Sequence, residues 1–149
     1  MMKRLLIGLL LLIGASLSAY AQSRSSLCYT TNGTNCVLAI QASNSNAINI
    51  STATTTELIA LDANKTIYVT SWDVMAGGTG TFQLVFGSGT ACGTGTTNLT
   101  GAYPLVAQAG IAKGNGLGIV LAIPKGKALC AVTNANIQYS GSVSFVQFQ

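Results

Sequence analysis

The sequence predicts an all-β protein, a two-sheet antiparallel β-sandwich or its jelly-roll form, set behind a cleavable signal peptide. Three observations carry that expectation. From Leu27 onward, apolar residues recur in short blocks broken every eight to fourteen residues by Gly, Asn, Ser and Thr, the punctuation of strands and turns. No stretch after residue 21 sustains an apolar period of 3.6, so helices are not expected. The four cysteines all follow an export-like leader, which suits a small disulfide-tied domain.

The leader is residues 1–21. Lys3 and Arg4 precede an apolar run from Leu5 to Ile13, and Ala19-Tyr20-Ala21 offers small residues at the two positions a signal peptidase reads. The apolar run is well short of the roughly 20 residues that span a bilayer, so removal after Ala21 is expected, with no membrane span afterwards. Residues 22–149 then form a single domain, long enough to bury about two thirds of its unfolded surface.

Within that domain, "CVLAIQA" (36–42) and "AINIS" (47–51) read as strands around a turn at residues 43–46. "TTELIAL" (55–61) is a third strand, with one helical turn at 57–60 as the competing form, and 62–65 a turn. "TIYVTSWDVMA" (66–76) is dominated by β-branched and aromatic residues. Strict alternation places Ile67, Val69, Ser71, Asp73 and Met75 on one side, and Tyr68, Thr70, Trp72 and Val74 on the other. The glycine turn "AGGTG" (76–80) then predicts a β-hairpin with "TFQLVFG", whose Phe82, Leu84 and Phe86 face the core. "LGIVLAI" (117–123) alternates Leu117, Ile119, Leu121 and Ile123 onto one face, and Pro124-Lys125-Gly126 ends it in a turn. "KALCAVT" (127–133), "IQYS" (137–140) and "SVSFVQF" (142–148) complete eight to ten strands.

Charge excludes several functions. Without the leader, Arg24, Lys65, Lys113, Lys125 and Lys127 stand against Glu57, Asp62 and Asp73, a net charge of +2. So weak a charge makes no field for nucleic acid, and no aromatic residues interleave the lysines. The solvated surface must be built from Thr, Ser, Asn and Gln. Little charge also removes the usual guard against association, so a homo-oligomer is expected.

Cys28, Cys36, Cys92 and Cys130 permit three disulfide pairings. Cys28 with Cys36 is favoured, because "CYTTNGTNC" carries an Asn-Gly step that turns a hairpin, leaving Cys92 for Cys130. A zinc site is disfavoured: the sequence has no histidine and no Cys-x-x-Cys pair.

The segment "FGSGTACGTGTTNLTG" (86–101) raises the question of a nucleotide loop. It contains no lysine for a phosphate loop, and Gly87-Ser88-Gly89-Thr90-Ala91-Cys92 lacks both the last glycine and the following helix of a dinucleotide fingerprint. It reads instead as a long inter-strand loop pinned by Cys92. General acid and base work has no histidine and only three carboxylates to draw on, so no enzyme and no cofactor are expected. Glu57 and Asp62, the nearest pair to a glycosidase arrangement, read as solvated side chains. Carbohydrate binding is the alternative function, with Trp72, Tyr68, Asp73 and Tyr103 as candidates to stack on and hydrogen-bond a surface glycan; the competing place for the single tryptophan is a core or subunit interface.

The order "IYVTSWDVMAGGTGTFQLVFGSGTACGTGTTNLTGAYPL", "GNGLGIVLAIPKGKALCAV", "GSVSFVQF" resembles a short β-sandwich module of tailed-phage and prophage structural proteins, over roughly residues 67–148. The resemblance implies assembly or decoration without catalysis, oligomeric contacts through sheet faces, and Cys92 and Cys130 at the motif's paired positions. The signal peptide departs from it, since virion proteins assemble in the cytoplasm. The combined expectation is a secreted, periplasmic or cell-surface structural protein that self-associates.

Overall fold

The computed structural model describes residues 40–149 and the backbone of two short strands before them. Those two, β1 (Cys28–Tyr29) and β2 (Val37–Leu38), pair antiparallel with Cys28 opposite Leu38 and Tyr29 opposite Val37. The signal peptide and the expected Cys28–Cys36 bond lie outside the described residues.

Residues 40–149 form ten strands: β3 (Asn44–Ile50), β4 (Thr55–Ile59), β5 (Thr66–Ala76), β6 (Gly80–Ser88), β7 (Thr94–Asn98), β8 (Tyr103–Leu105), β9 (Gly110–Gly114), β10 (Leu121–Ile123), β11 (Ala128–Thr133) and β12 (Tyr139–Phe148). The first sheet runs β3-β12-β5, with β9 and β10 end to end along the far edge of β5. The second runs β4-β11-β6, with β7 and β8 sharing the far edge of β6. All pairings are antiparallel, and they are nested: β6 with β7 and β8, β5 with β9 and β10, β4 with β11, β3 with β12. The chain is thus one long ribbon doubled back after β6 and rolled into two facing sheets, the jelly-roll wrap.

That wrap corrects the hairpin expected between β5 and β6, for the two strands lie in different sheets. Both need to bury one face, and a sandwich lets them do so against each other. Val69, Trp72 and Val74 of one sheet and Phe82 and Leu84 of the other belong to a single buried core. The glycine segment between them is a crossover, with the Gly77 N–H donating to the Gln138 carbonyl at 2.7 Å.

Strict alternation in β5 also fails, at one residue. Ser144 of β12 stands opposite Ser71, but Phe145 stands opposite Val69, so Thr70 is an unpaired extra residue. This bulge inverts the faces. Ile67 and Val69 point inward before it, and Trp72, Val74 and Ala76 after it, all buried. Thr70 is itself buried and donates its hydroxyl to the Ser144 carbonyl at 3.2 Å.

Two other boundaries differ from the sequence expectation. Residues 44–46 are not a turn but the first half of β3, because β12 supplies a partner at every position from Tyr139 to Phe145. Conversely, only Leu121–Ile123 of "LGIVLAI" is strand, and Leu117, Ile119 and Val120 are exposed. At Gly114 the chain takes φ 80°, and a Cβ there would collide with the Thr70 carbonyl, so a glycine ends β9 beside the bulge.

Candidate functional site

The loop at residues 88–93 folds back on the second sheet instead of hanging free. Cys92 is bonded to Cys130 on the outward side of β11, and Val85, Ala128, Cys92 and Cys130 form a small second core there. Ala91 and Cys92 adopt left-handed backbone (φ 48° and 60°), a conformation costing L-residues about 1–2 kcal/mol each, and the bond holds them in it. Beyond the turn Thr90–Cys92 the chain is not loop, as expected, but the exposed strand β7, because β6 has a free edge to pair. The glycines and threonines of 86–101 therefore serve a tight reversal and an edge strand.

The first sheet is covered differently. Gln41, just before β3, forms a bridge with Leu117, and the Gly118 N–H donates to the Ile40 carbonyl at 2.8 Å. These residues extend from opposite edges of a sheet whose inner face is filled by the core. Their meeting therefore crosses the outer face as a clasp, carrying Leu117 (45% exposed) and Ile119 (49%) on top.

On one side of the clasp Tyr68 stacks on Phe148 at 4.6 Å, with Phe148 40% exposed. On the other, the Ser142 hydroxyl donates to the Asp73 carboxylate at 2.5 Å, and Met75 is 56% exposed. Five of the seven large exposed apolar side chains among the described residues, Met75, Leu117, Ile119, Val120 and Phe148, thus belong to this sheet or its clasp.

The four candidates for a sugar site do not come together. Trp72 is 2% exposed and packs in the core against Phe82 at 6.0 Å and Tyr103 at 5.9 Å. It offers no face to a glycan, which corrects its candidacy; the bulge at Thr70 is the reason, since it turns residue 72 inward and leaves Tyr68 outward. Tyr103 lies half-buried on β8 in the other sheet. Tyr68 and Asp73 share the outer face but stand five residues apart along β5, about 16 Å at strand rise.

Nor do the titratable groups gather. Glu57 is exposed on β4, Asp62 sits in the β4–β5 turn, and Asp73 is on the outer face of β5. The Asn64 N–H, and then the Lys65 ammonium at 3.0 Å, hold the Asp62 carboxyl below its ordinary 3.8. Any stability from Asp62 is present above that range and is lost as pH falls through its lowered value. Lys127 donates to the Ser88 hydroxyl at 3.3 Å, far in sequence and sheet from Lys113 on β9. Among the described residues no three His, Cys, Asp or Glu side chains are grouped to hold a metal, and no helix is long and apolar enough to cross a membrane.

An open groove of about 670 Å³ lies at the crossover end of the sandwich, between Thr79–Thr81, Pro104–Val106 and Asn134. Within its lining the Asn134 side-chain oxygen accepts the Thr81 N–H at 2.6 Å. Sequence reasoning missed the clasp and Phe148. Alternation put Leu117 and Ile119 on one strand face with Leu121 and Ile123, and only the glycines at 114, 116 and 118 signal that this stretch leaves the sheet. No protein-family model, curated protein or solved structure matches the chain.

Proposed function

We infer that the protein is an exported, non-enzymatic structural protein that assembles with copies of itself through its first sheet, in the manner of the phage-type β-sandwich modules it resembles. The observation that carries this reading is the one-sided distribution of Met75, Leu117, Ile119, Val120 and Phe148. Exposed apolar groups gathered on one side of a small domain favour association, because burying them removes apolar surface from water at about 25 cal/mol per Å². The near absence of charge on that side supports the same reading, Asp73 and Lys113 being the formal charges of β3, β5, β9, β10 and β12. The carboxylates Glu57, Asp62 and Asp73 lie apart on β4, a turn and β5, and the second sheet's outward side is covered around Val85 and Cys130 by its own turn.

Light scattering coupled to size-exclusion chromatography on the oxidised protein tests the reading. The mass is expected to exceed that of one chain and to rise with concentration. A single-chain mass at every concentration ends it.

A further inference from the structure

We propose that the copies join by the edge of β3, which pairs with β12 alone among the described residues, strand against strand about a two-fold axis at Ala47, so that two first sheets run on as one. The inference deepens the assembly reading and rests on it. It starts from the way sheet edges are protected. An uncovered edge exposes backbone N–H and C=O groups that template another strand, and proteins blunt it with Lys, Pro, bulges or brevity.

Among the described residues each other edge carries such a device. On β4 there is exposed Glu57, and its ladder with β11 is irregular at Leu129/Cys130. In β7, Gly95 takes φ 61° and the ladder shifts between Phe86 and Ser88. Three-residue β8 contains Pro104. On β9 stands exposed Lys113, while three-residue β10 runs into Pro124 and Lys125.

In contrast β3, with seven residues the longest edge strand, has no charge, proline, glycine or register shift from Asn44 to Ile50. Its outward row, Ser45, Ala47 and Asn49, is exposed, small and uncharged. Its inward residues are already provided for: Ile48 and Ile50 are buried, and the Asn46 side chain donates to the Leu58 carbonyl at 2.7 Å. A second copy of β3 running antiparallel would set Ala47 against Ala47, and Ser45 against Asn49, without meeting a like charge or a bulky group. A two-fold interface requires that kind of self-match.

Position 47 facing itself makes the test specific. Light scattering would be read on the wild type, Ala47→Lys, Ala47→Glu and an equimolar mixture of the two variants, with circular dichroism confirming each fold. The wild type is expected to dimerise, each variant alone to lose the dimer because like charges oppose each other about 5 Å apart, and the mixture to regain it. As an independent variant, Ala47→Cys is expected to give, on air oxidation, a cross-linked dimer that dithiothreitol reverses. Dimers that persist in both charged variants, or a dimeric Ala47→Cys protein that does not cross-link, would overturn the β3 contact while leaving assembly standing. A wild type that stays monomeric at all concentrations overturns both.

Discussion

Gly80 lies directly over the hydroxyl of Tyr139, so closely that a Cβ at position 80 would overlap the phenol oxygen. The same hydroxyl is buried with no hydrogen-bond partner among the described residues. The β5–β6 crossover therefore closes over a tyrosine that could not accommodate any larger residue above it. Gly80→Ala is expected to cost about 1–3 kcal/mol, the usual cost of overpacking. Tyr139→Phe, which removes an unpaired buried hydroxyl, should be neutral or stabilising by about 1 kcal/mol. The double variant should recover part of the alanine's cost. Urea denaturation of the three variants checks the coupling, and additive losses would refute it.

Burial pushes the Tyr139 phenol above its ordinary value of 10. Its folded value thus exceeds its unfolded one, so the stability linked to it is complete below about pH 10 and is lost as pH rises through the raised value. Absorbance at 295 nm is expected to show a late-ionising tyrosinate whose appearance coincides with unfolding. Tyr139→Phe should delete that late component.

The Cys92–Cys130 bond closes a separation of 38 residues and holds the reversal at the ribbon's tip onto β11. Chain entropy alone assigns such a closure about 4 kcal/mol. The Cys92→Ala/Cys130→Ala variant is expected to lose stability of that order in denaturant and to expose the small core around Val85 and Ala128. Unchanged stability would show that the turn holds itself without the bond.

Thr70 decides which way the only tryptophan faces. Deleting it would restore strict alternation in β5 and turn either Trp72 and Val74 or Ile67 and Val69 out of the core, so the deletion is expected not to fold. Thr70→Val keeps the extra residue and loses one hydrogen bond, costing about 1 kcal/mol. Tryptophan emission separates the cases: blue-shifted and shielded from acrylamide in the wild type and in Thr70→Val, red-shifted in the deletion.

Much of the fold is legible in the chain itself. Thr66–Ala76 announces a strand by its β-branched and aromatic residues, and the segments of β6, β11 and β12 by alternation, because those preferences are local to one strand. The pairing of Cys92 with Cys130 likewise follows once Cys28 is assigned to Cys36. Local pattern also excluded a nucleotide loop at residues 86–101, since a missing lysine and a missing helix are facts of sequence.

What the tertiary structure alone decided are relations between strands. The bulge at Thr70 is a mismatch of register between β5 and β12, and neither strand carries it by itself; it nonetheless parts Trp72, which it buries, from Tyr68, which stays on the outer face. The placing of β5 and β6 in opposite sheets depends on what each strand's apolar face meets across the core, which a glycine turn does not specify. Polar residues 44–46 became strand because β12 offered them partners, and residues 117–118 left the edge of β5 to meet Ile40 and Gln41. In each case the local preference was weaker than the hydrogen bonds and buried surface available from a distant part of the chain.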